Sequence, residues 1–352
     1  MSEYTAIIKN TLIEDTKIEF DLFLKSGSNR HSNYVLFSRR NELFSPERRE
    51  ELMSRNAQKL YISTNDIDKY LKYQEKNLKH IIEDNTMSSL EKSGVLYQVA
   101  KNVTAELLDD PRSGQHVERV STWVSNTIHH ILENENTLSN LFKVINHDYR
   151  IYTHSVNTSV IGLLFGRFLS LKPEELNCLG TGLILHDIGK VTVPPIVIKK
   201  RGKLTVNEFA EMKKHPKAGL KILGHRSSVD IRSLKIVIQH HENNDGTGYP
   251  YGIGGSDIHL LGHISRIIDV YDAMTTNRHY AFAEKPFTVL VEMKNKMSNC
   301  FDSELLREFI CFLGPKELRK KPGAKDILYS VPSVTKQMPS ERIVLCDQKT
   351  ER

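Results

Sequence analysis

The pattern of apolar and polar residues changes character once along the chain, and its first part predicts β structure. Apolar and polar residues nearly alternate over residues 17–24, and a second β-like run covers residues 34–37, so the two predict a hairpin. Ser45-Pro46 ahead of a charged run predicts a helix with proline at its first position. An apolar run at residues 60–62 predicts a returning strand. Residues 1–72 are therefore predicted to form a small α+β domain.

Beyond residue 72 the apolar residues recur every three or four positions, which is typical of amphipathic helices. The protein is therefore predicted to be mainly α, with connecting helices over residues 73–135, a helical domain over 136–330 and a C-terminal tail over 331–352. An apolar stripe runs through residues 117–131. It would either form a homodimer seam with a second chain or pack on its own domain, and the pattern favours neither.

Composition and charge narrow the class of protein. No segment approaches the ~20 apolar residues that span a bilayer, and no basic stretch followed by an apolar run precedes the first predicted strand. We therefore expect a cytoplasmic protein without a membrane span. The four cysteines are scattered, which disfavours a disulfide framework, and the net charge of +6 is spread too widely to suggest a DNA or RNA partner.

The candidate chemistry lies in the helical half, where histidines and aspartates form adjacent pairs. A lone histidine such as His116 is usually a surface or structural residue, but His-Asp and His-His pairs are harder to explain that way. The most informative residues are His154, His186, Asp187, His215, His240, His241 and Asp269. Such ligands suit Fe, Mn or Zn, and their number exceeds what one tetrahedral ion requires, so we expect two metals with Asp187 as a bridging carboxylate.

Two further features could serve a phosphate substrate. Lys190 follows His186 by four residues and on a helix would face the same way, so its ammonium could reach a phosphate, although a lone lysine is usually solvated. Residues 245–250, DGTGYP, predict a loop whose glycines permit tight turns. Tyr249 on that loop could cover or stack on a base.

These segments resemble the signature of the HD-GYP family. HDIGK at residues 186–190 and HHENNDGTGYP at residues 240–250 match its two halves, and the similarity extends over roughly residues 145–300. The resemblance implies an all-helical HD-GYP domain, preceded by the small α+β domain and connecting helices. It also implies two or three iron or manganese ions and hydrolysis of cyclic di-GMP to pGpG or onward to GMP.

The resemblance assigns roles to individual residues. It implies metal coordination by the seven residues singled out above and a catalytic role for Asp187 and Lys190. Asp269 and Asp272 compete for the last ligand position, and Asp269 is chosen because it comes first in the D-x-x-D of DVYD. Asp272 is expected to cap or brace the helix.

Substrate contacts are implied for Arg278, which matches a phosphate-binding arginine, and for Tyr249 of the loop at residues 245–250, which we call the GYP loop. Two positions depart from the family pattern. Arg150 stands where three-metal members carry a glutamate ligand, so we expect two divalent ions, Fe or Mn, and no third. Its guanidinium could bind substrate phosphate or form a surface salt bridge. Ala281 replaces an Arg or Lys of many members, which would weaken affinity by about tenfold to a hundredfold.

The function expected is a bacterial cyclic di-GMP phosphodiesterase in which a hydroxide held between two metals attacks phosphorus, with pGpG as the main product. One alternative is a cyclic di-GMP receptor or protein-interaction module that has lost turnover. Another is an HD-type hydrolase of a different nucleotide. A diguanylate cyclase or an adaptor protein is a candidate partner through the GYP loop, and the α+β domain is expected to regulate output or bind a partner.

Overall fold

The computed structural model describes residues 3–26, 33–54, 59–133, 137–145, 150–224, 228–277 and 283–314. The described residues as far as Leu313 belong to one compact unit. A small strand-containing region at the N-terminus precedes a long succession of helices, which confirms the predicted mainly α class with an α+β start.

The N-terminal region is built on an antiparallel sheet with the strand order β1-β6-β3-β4, and β2 pairs with β5 beside it. The strands are β1 (Tyr4–Ile7), β2 (Thr16–Lys17), β3 (Leu22–Ser26), β4 (Asn33–Ser38), β5 (Leu43–Phe44) and β6 (Leu60–Ser63), and the helices are α1 (Pro46–Ser54) and α2 (Ile67–Lys76). Antiparallel pairing of β3 with β4 confirms the hairpin. The alternating run is longer than β3 because Ile18 exchanges backbone hydrogen bonds with Asn41 and Glu42 instead of with β4.

The remaining elements are helical. They are α3 (Leu78–Glu83), α4 (Ser89–Asp109), α5 (Gly114–Glu133), α6 (Thr137–Val144), α7 (Ile151–Phe168), α8 (Pro173–Leu185), a 3₁₀ helix (Ile188–Thr192), α9 (Pro195–Ile198), α10 (Val206–Met212), α11 (His215–Leu223), α12 (Ile231–Gln239), α13 (Leu260–Thr275), α14 (Pro286–Lys296) and α15 (Ser303–Leu313). Ser45 Oγ accepts the Arg48 amide at 3.3 Å, which confirms the predicted N-cap of α1.

Two hydrophobic clusters stabilise the described chain. One lies between Leu12 and Tyr73, within the N-terminal region. The other extends from Leu78 to Phe312 and includes α4 and α5, which pack on α7 and α8. The apolar stripe at residues 117–131 is buried in this second cluster, so it packs against its own chain. The homodimer and the domain boundaries stay predictions.

One buried histidine outside the candidate site makes stability depend on pH. Nε2 of His130 in α5 lies 3.3 Å from Ser93 Oγ in α4, and burial, with smaller contributions from the charges of Lys92 and His129, lowers the His130 pKa from 6.5 to about 4. As pH falls through this window the unfolded chain binds a proton that the folded chain does not. The free energy of unfolding therefore falls, by up to about 3 kcal/mol at pH 4.

We expect His130→Gln to weaken this dependence. Urea unfolding of the variant between pH 6.5 and 4 should show a shallower loss of stability than the wild type. His129 is the matched control because it is the exposed neighbour on the same helix. His129→Gln should change the pH dependence of the unfolding free energy only slightly, since the His129 charge lowers the His130 pKa less than burial does. If the unfolding free energy fell equally steeply with pH in wild type and in His130→Gln, His130 would not be the titrating group.

Candidate metal centre

The residues predicted to carry the chemistry meet where several helices begin or end. The contributions are His154 from α7, His186 and Asp187 at the end of α8, His215 at the start of α11, His240 and His241 at the end of α12, and Asp269 from α13. All are buried except His241, which is partly buried. Packing of α7 on α8, α8 on α12 and α12 on α13 therefore assembles a cluster from positions 115 residues apart in sequence.

The ligand atoms fall into two groups, and within each group all of them lie within 4.8 Å of one another. The groups are His154, His186 and Asp269, and Asp187, His215, His240 and His241. The predicted residues are thus brought together, and Asp272 is in neither group. A buried set of imidazoles and carboxylates of this kind is able to hold metal.

Asp187 lies between the two groups. Its Oδ2 is 3.4 Å from His186 Nε2 and 3.8 Å from His154 Nε2. Its Oδ1 is 3.3 Å from His215 Nε2 and 3.7 Å from His240 Nε2. One carboxylate oxygen therefore faces each group of histidines.

Asp269 closes the cluster from the side of α13. Its Oδ1 is 3.0 Å from His154 Nε2 and 4.0 Å from His186 Nε2, and its Oδ2 is 3.8 Å from His241 Nδ1. Asp272, one helical turn later, approaches His154 from the other side, with Oδ2 2.7 Å from Nδ1. Asp269 thus faces the inside of the cluster, whereas Asp272 braces a histidine from behind.

Local backbone structure points the histidines inward. Nδ1 of His186, His215 and His240 each lies within hydrogen-bond distance of the carbonyl three residues earlier, at 2.6, 2.7 and 3.1 Å. A protonated Nδ1 that donates to this carbonyl leaves Nε2 as the lone-pair nitrogen. Because these histidines lie at helix ends, the same hydrogen bonds also satisfy terminal carbonyl groups.

Unsatisfied polar atoms inside the cluster fit a bound cation. Within the described residues, His186 Nε2 and Asp187 Oδ1 are buried and make no hydrogen bond. His215 Nε2 and His240 Nε2 lie only 3.1 Å apart, although both imidazoles already have a carbonyl partner at Nδ1. Converging lone pairs of this kind are costly unless a cation lies between them.

The protonation states also suit metal binding, which needs neutral imidazoles and ionised carboxylates. Burial alone would raise the pKa of Asp187, but Lys190 and His186 outweigh burial and hold this pKa well below its usual value. Burial lowers the pKa values of His240 and His241 well below that of a free imidazole.

Lys190 reaches the cluster by a different route from the predicted one. The helix ends at His186 and a 3₁₀ helix follows, so Lys190 does not share a continuous helical face with His186. Its Nζ instead lies 2.5 Å from Asp187 Oδ2. The predicted geometry is wrong, but the ammonium still lies next to the carboxylate that faces both groups.

The GYP loop folds against the cluster. The Tyr249 ring stacks on the His241 imidazole with centroids 4.6 Å apart, and burial raises the Tyr249 pKa, so its hydroxyl keeps its proton at neutral pH. Glu242, which we did not predict, is buried and accepts the amides of Tyr251 and Gly252 at 2.7 and 3.1 Å. A glutamate directly after the histidine pair was the available signal for this anchor.

The two candidate arginines are not part of the described cluster. Arg150 is exposed at the N-cap of α7, with its guanidinium carbon 6.0 Å from the Tyr152 ring. Arg278 lies outside the described residues, as does Ala281. Their substrate roles stay predictions.

Known proteins match much of the helical part of the chain. Residues 76–305 match the family described as HD domain. A protein named cyclic di-GMP phosphodiesterase from Pseudomonas aeruginosa is 31% identical over 224 residues, which cover 63% of this chain and 54% of that protein. A protein named 3'3'-cGAMP-specific phosphodiesterase 3 from Vibrio cholerae is 28% identical over 71% of this chain and 57% of that protein. The chain thus spans little more than half the length of these relatives.

A solved structure shares the fold. It is described as a HDG"Y"P protein from Bdellovibrio bacteriovorus, and it matches with a TM-score of 0.61 at 22% identity, covering 87% of this chain and 98% of that chain. None of the helices in the described ranges combines the length and hydropathy that crossing a membrane requires.

A buried His/Asp cluster that is able to hold metal, assembled by packed helices, defines a helical protein with a candidate metal centre. More specifically, the chain belongs to the HD domain family, and the HD-GYP signature predicted from its HDIGK and HHENNDGTGYP segments is confirmed.

Proposed function

We propose that the chain is a metal-dependent phosphodiesterase that hydrolyses cyclic di-GMP to pGpG, with slower onward hydrolysis to GMP. The observation that carries the proposal is the placement of Asp187, with one carboxylate oxygen facing His154 and His186 and the other facing His215 and His240. A carboxylate shared between two sets of ligands fits the two-metal site of a phosphoester hydrolase.

We propose two divalent ions, iron or manganese, because both accept imidazole and carboxylate ligands. The residues that would hold them are His154, His186, Asp187, His215, His240, His241 and Asp269. When bound, the ions supply Lewis-acid activation of water and charge compensation at the phosphoryl oxygens. A third ion is not proposed, because Arg150 is a cation and offers no ligand atom.

The side chains around the cluster would orient the substrate and balance its charge. Lys190, beside Asp187, would turn its ammonium toward a non-bridging phosphate oxygen and offset the charge that develops there. Tyr249 would hold His241 by stacking, and its hydroxyl would donate a hydrogen bond to a phosphate oxygen. We retain Arg278 and Arg150 as further phosphate contacts.

A second candidate substrate is 3'3'-cGAMP, because a relative named for its hydrolysis matches 71% of this chain. The two dinucleotides share a cyclic phosphodiester backbone and differ in one base, so the cluster itself does not discriminate between them. A receptor without turnover is the less favoured candidate. Seven ionisable groups kept together at the cluster are costly to a fold and are expected where they do chemistry.

The test combines metal quantification with product analysis. Protein purified anaerobically should contain about two irons or manganeses per chain and convert cyclic di-GMP to pGpG. Cyclic di-GMP, 3'3'-cGAMP, deoxynucleoside triphosphates and ppGpp are compared at fixed metal, with His186→Ala/Asp187→Ala as the inactive control. A metal-loaded chain that binds cyclic di-GMP without hydrolysing it would be a receptor. Faster hydrolysis of another nucleotide would identify that nucleotide as the substrate instead. GMP as the main early product would refute the pGpG preference.

The basic residues on either side of His215 in the sequence should attract such a substrate. Residues 199–221 carry eight Lys or Arg against two Glu, a net charge of +6 that equals the charge of the whole chain. The exposed members are Lys199, Arg201, Lys203, Lys214, Lys217 and Lys221. A cyclic dinucleotide carries two negative charges, and salt screens its attraction to exposed cations.

We therefore expect kcat/KM for cyclic di-GMP to fall several-fold as ionic strength rises from about 0.01 M to about 0.1 M, where the Debye length shrinks from about 30 to about 10 Å. The kcat should change little. Lys217→Gln/Lys221→Gln should flatten this dependence, whereas Lys294→Gln, at an exposed position on α14, should not. If the double substitution left the salt dependence of kcat/KM unchanged, the substrate would be attracted by another surface.

We further propose that residues 1–72 regulate the output of the centre and that the GYP loop contacts a diguanylate cyclase or an adaptor protein. Support for the contact is Tyr251, which directly follows the loop, is 57% exposed and carries Lys217 Nζ 4.8 Å from its ring centroid. An exposed aromatic with a neighbouring cation is typical of protein-binding surfaces.

A further inference from the structure

A chain of hydrogen bonds joins helix α4 to the metal centre. The Tyr97 hydroxyl of α4 donates to Asn157 Oδ1 at 2.7 Å, and Asn157 Nδ2 donates to Asp272 Oδ1 at 3.1 Å. The other oxygen of Asp272, Oδ2, lies 2.7 Å from His154 Nδ1. The three bonds connect α4, α7 and α13 in sequence, and they end on a histidine whose Nε2 faces the cluster.

Each residue in this series of hydrogen bonds is buried, with at most 5% of its surface exposed. Bulk water therefore cannot replace a lost bond, and each bond limits the positions that its neighbours can take. The amide of Asn157 suits its central place because it accepts through oxygen and donates through nitrogen at the same time. A carboxylate or an aliphatic side chain of similar size at this position could not serve both neighbours.

The direction of the bonds fixes the state of His154. An ionised Asp272 only accepts, so Nδ1 must carry the proton, and Nε2 is left as the lone-pair nitrogen toward Asp269 and Asp187. Carboxylate groups behind a metal-binding histidine fix its tautomer and ring orientation, and their removal typically costs about 10–100-fold in metal affinity. Asp272 Oδ1 in turn accepts a hydrogen bond from Asn157 Nδ2 at 3.1 Å and a longer one from Thr276 Oγ1 at 3.4 Å.

We propose that Tyr97 and Asn157 are positioning residues that hold Asp272, and through it His154, in the metal-binding orientation. The inference rests on the proposed function only in taking His154 as a metal ligand. Because α4 packs against α2 of the N-terminal region as well as against α7, the hydrogen-bond chain joins the centre to the helix that adjoins that region. Metal affinity thereby depends on the placement of α4.

The test measures metal affinity in the full chain. Metal-free protein is titrated with Mn²⁺ in competition with a fluorescent chelator. Tyr97→Phe keeps the ring and removes the hydroxyl, and should weaken Mn²⁺ binding about three- to tenfold. Asn157→Ala should weaken it about 10–100-fold, because Asp272 then loses its direct support. Thermal unfolding of the metal-free variants verifies that each is folded.

Two comparisons separate positioning from packing. If the residues act in series, Tyr97→Phe should change affinity by less than about twofold when Asn157 is already Ala, whereas independent effects would multiply. Tyr70→Phe is the matched control, because its buried hydroxyl bonds Thr11 at 2.8 Å in the N-terminal region. This control should lose stability without losing Mn²⁺ affinity.

An unchanged Mn²⁺ affinity in Tyr97→Phe, or a loss equal to that of Tyr70→Phe, would overturn the inference. Its failure is distinguishable from failure of the proposed function. A chain that binds Mn²⁺ but leaves cyclic di-GMP intact refutes the phosphodiesterase and leaves the Tyr97 result readable. A chain that binds no divalent metal overturns both.

Discussion

Replacing Asp187 by Asn is expected to lower the turnover of cyclic di-GMP by about 10³-fold, the equivalent of several kcal/mol of transition-state stabilisation. The side chain is buried, and its two oxygens face different pairs of histidines. An amide presents an N–H₂ donor to one of these pairs in place of a ligand atom. It also removes the negative charge that Lys190 approaches to 2.5 Å. Metal content should fall together with kcat in anaerobically purified protein.

Asp230→Asn is the matched control for this substitution. Asp230 caps the start of α12, the helix that ends beside His240, and its Oδ1 accepts the Arg232 amide at 2.8 Å on the surface. Asparagine caps helices about as well as aspartate, so metal content and kcat should stay near wild type. Full metal content and undiminished kcat in Asp187→Asn would refute the shared-ligand role.

The order of motifs along the chain was enough to predict which residues assemble. His154, His186 and Asp269 lie far apart in sequence, yet the structure places one ligand atom of each within 4.8 Å of the other two. Adjacent pairs pointed to His186-Asp187 and His240-His241, whereas His154 and Asp269 stand alone in the sequence and were assigned as ligands by the resemblance to the HD-GYP family. The fold class followed from the change in apolar spacing near residue 73, which reflects the periods of strands and helices.

The surroundings of the cluster could not be predicted in the same way. Asn157 and Tyr97 are unremarkable in a helical pattern, and they matter only because α4, α7 and α13 pack together. Lys190 was placed on a helix because no local signal shows that α8 ends at His186. Such contacts depend on long-range packing, which apolar periodicity does not encode.

The roles of the glycines in the signature likewise depend on packing that the sequence does not show. We attributed them to tight turns, and Gly246 does adopt a left-handed conformation with φ of 78°. Gly248 is required for a different reason: a Cβ there would overlap the backbone of Asn243 and Glu242. The GYP loop is therefore held by close backbone approach, together with the anchor that Glu242 provides.

Gly189, the glycine of HDIGK, gives the second large expected effect. A Cβ at this position would lie far inside van der Waals contact with the His215 carbonyl oxygen and 2.5 Å from the Gly219 amide nitrogen. Both are backbone atoms of α11 and cannot rotate away as a side chain would. We expect Gly189→Ala to push α11 from the 3₁₀ helix, which carries His215 away from Asp187. Overpacking of this kind costs about 1–3 kcal/mol or more of unfolding free energy.

The measurement is urea unfolding of metal-free protein, with metal content determined separately. Gly94→Ala is the control because a Cβ there meets nothing within 4 Å in the middle of α4, and alanine should stabilise this helix by about 0.5–1 kcal/mol. The two substitutions are chemically identical, but they should change the free energy of unfolding in opposite directions. Wild-type stability and metal content in Gly189→Ala would show that α11 and the 3₁₀ helix can separate freely. The glycine would then have no part in bringing His215 to Asp187.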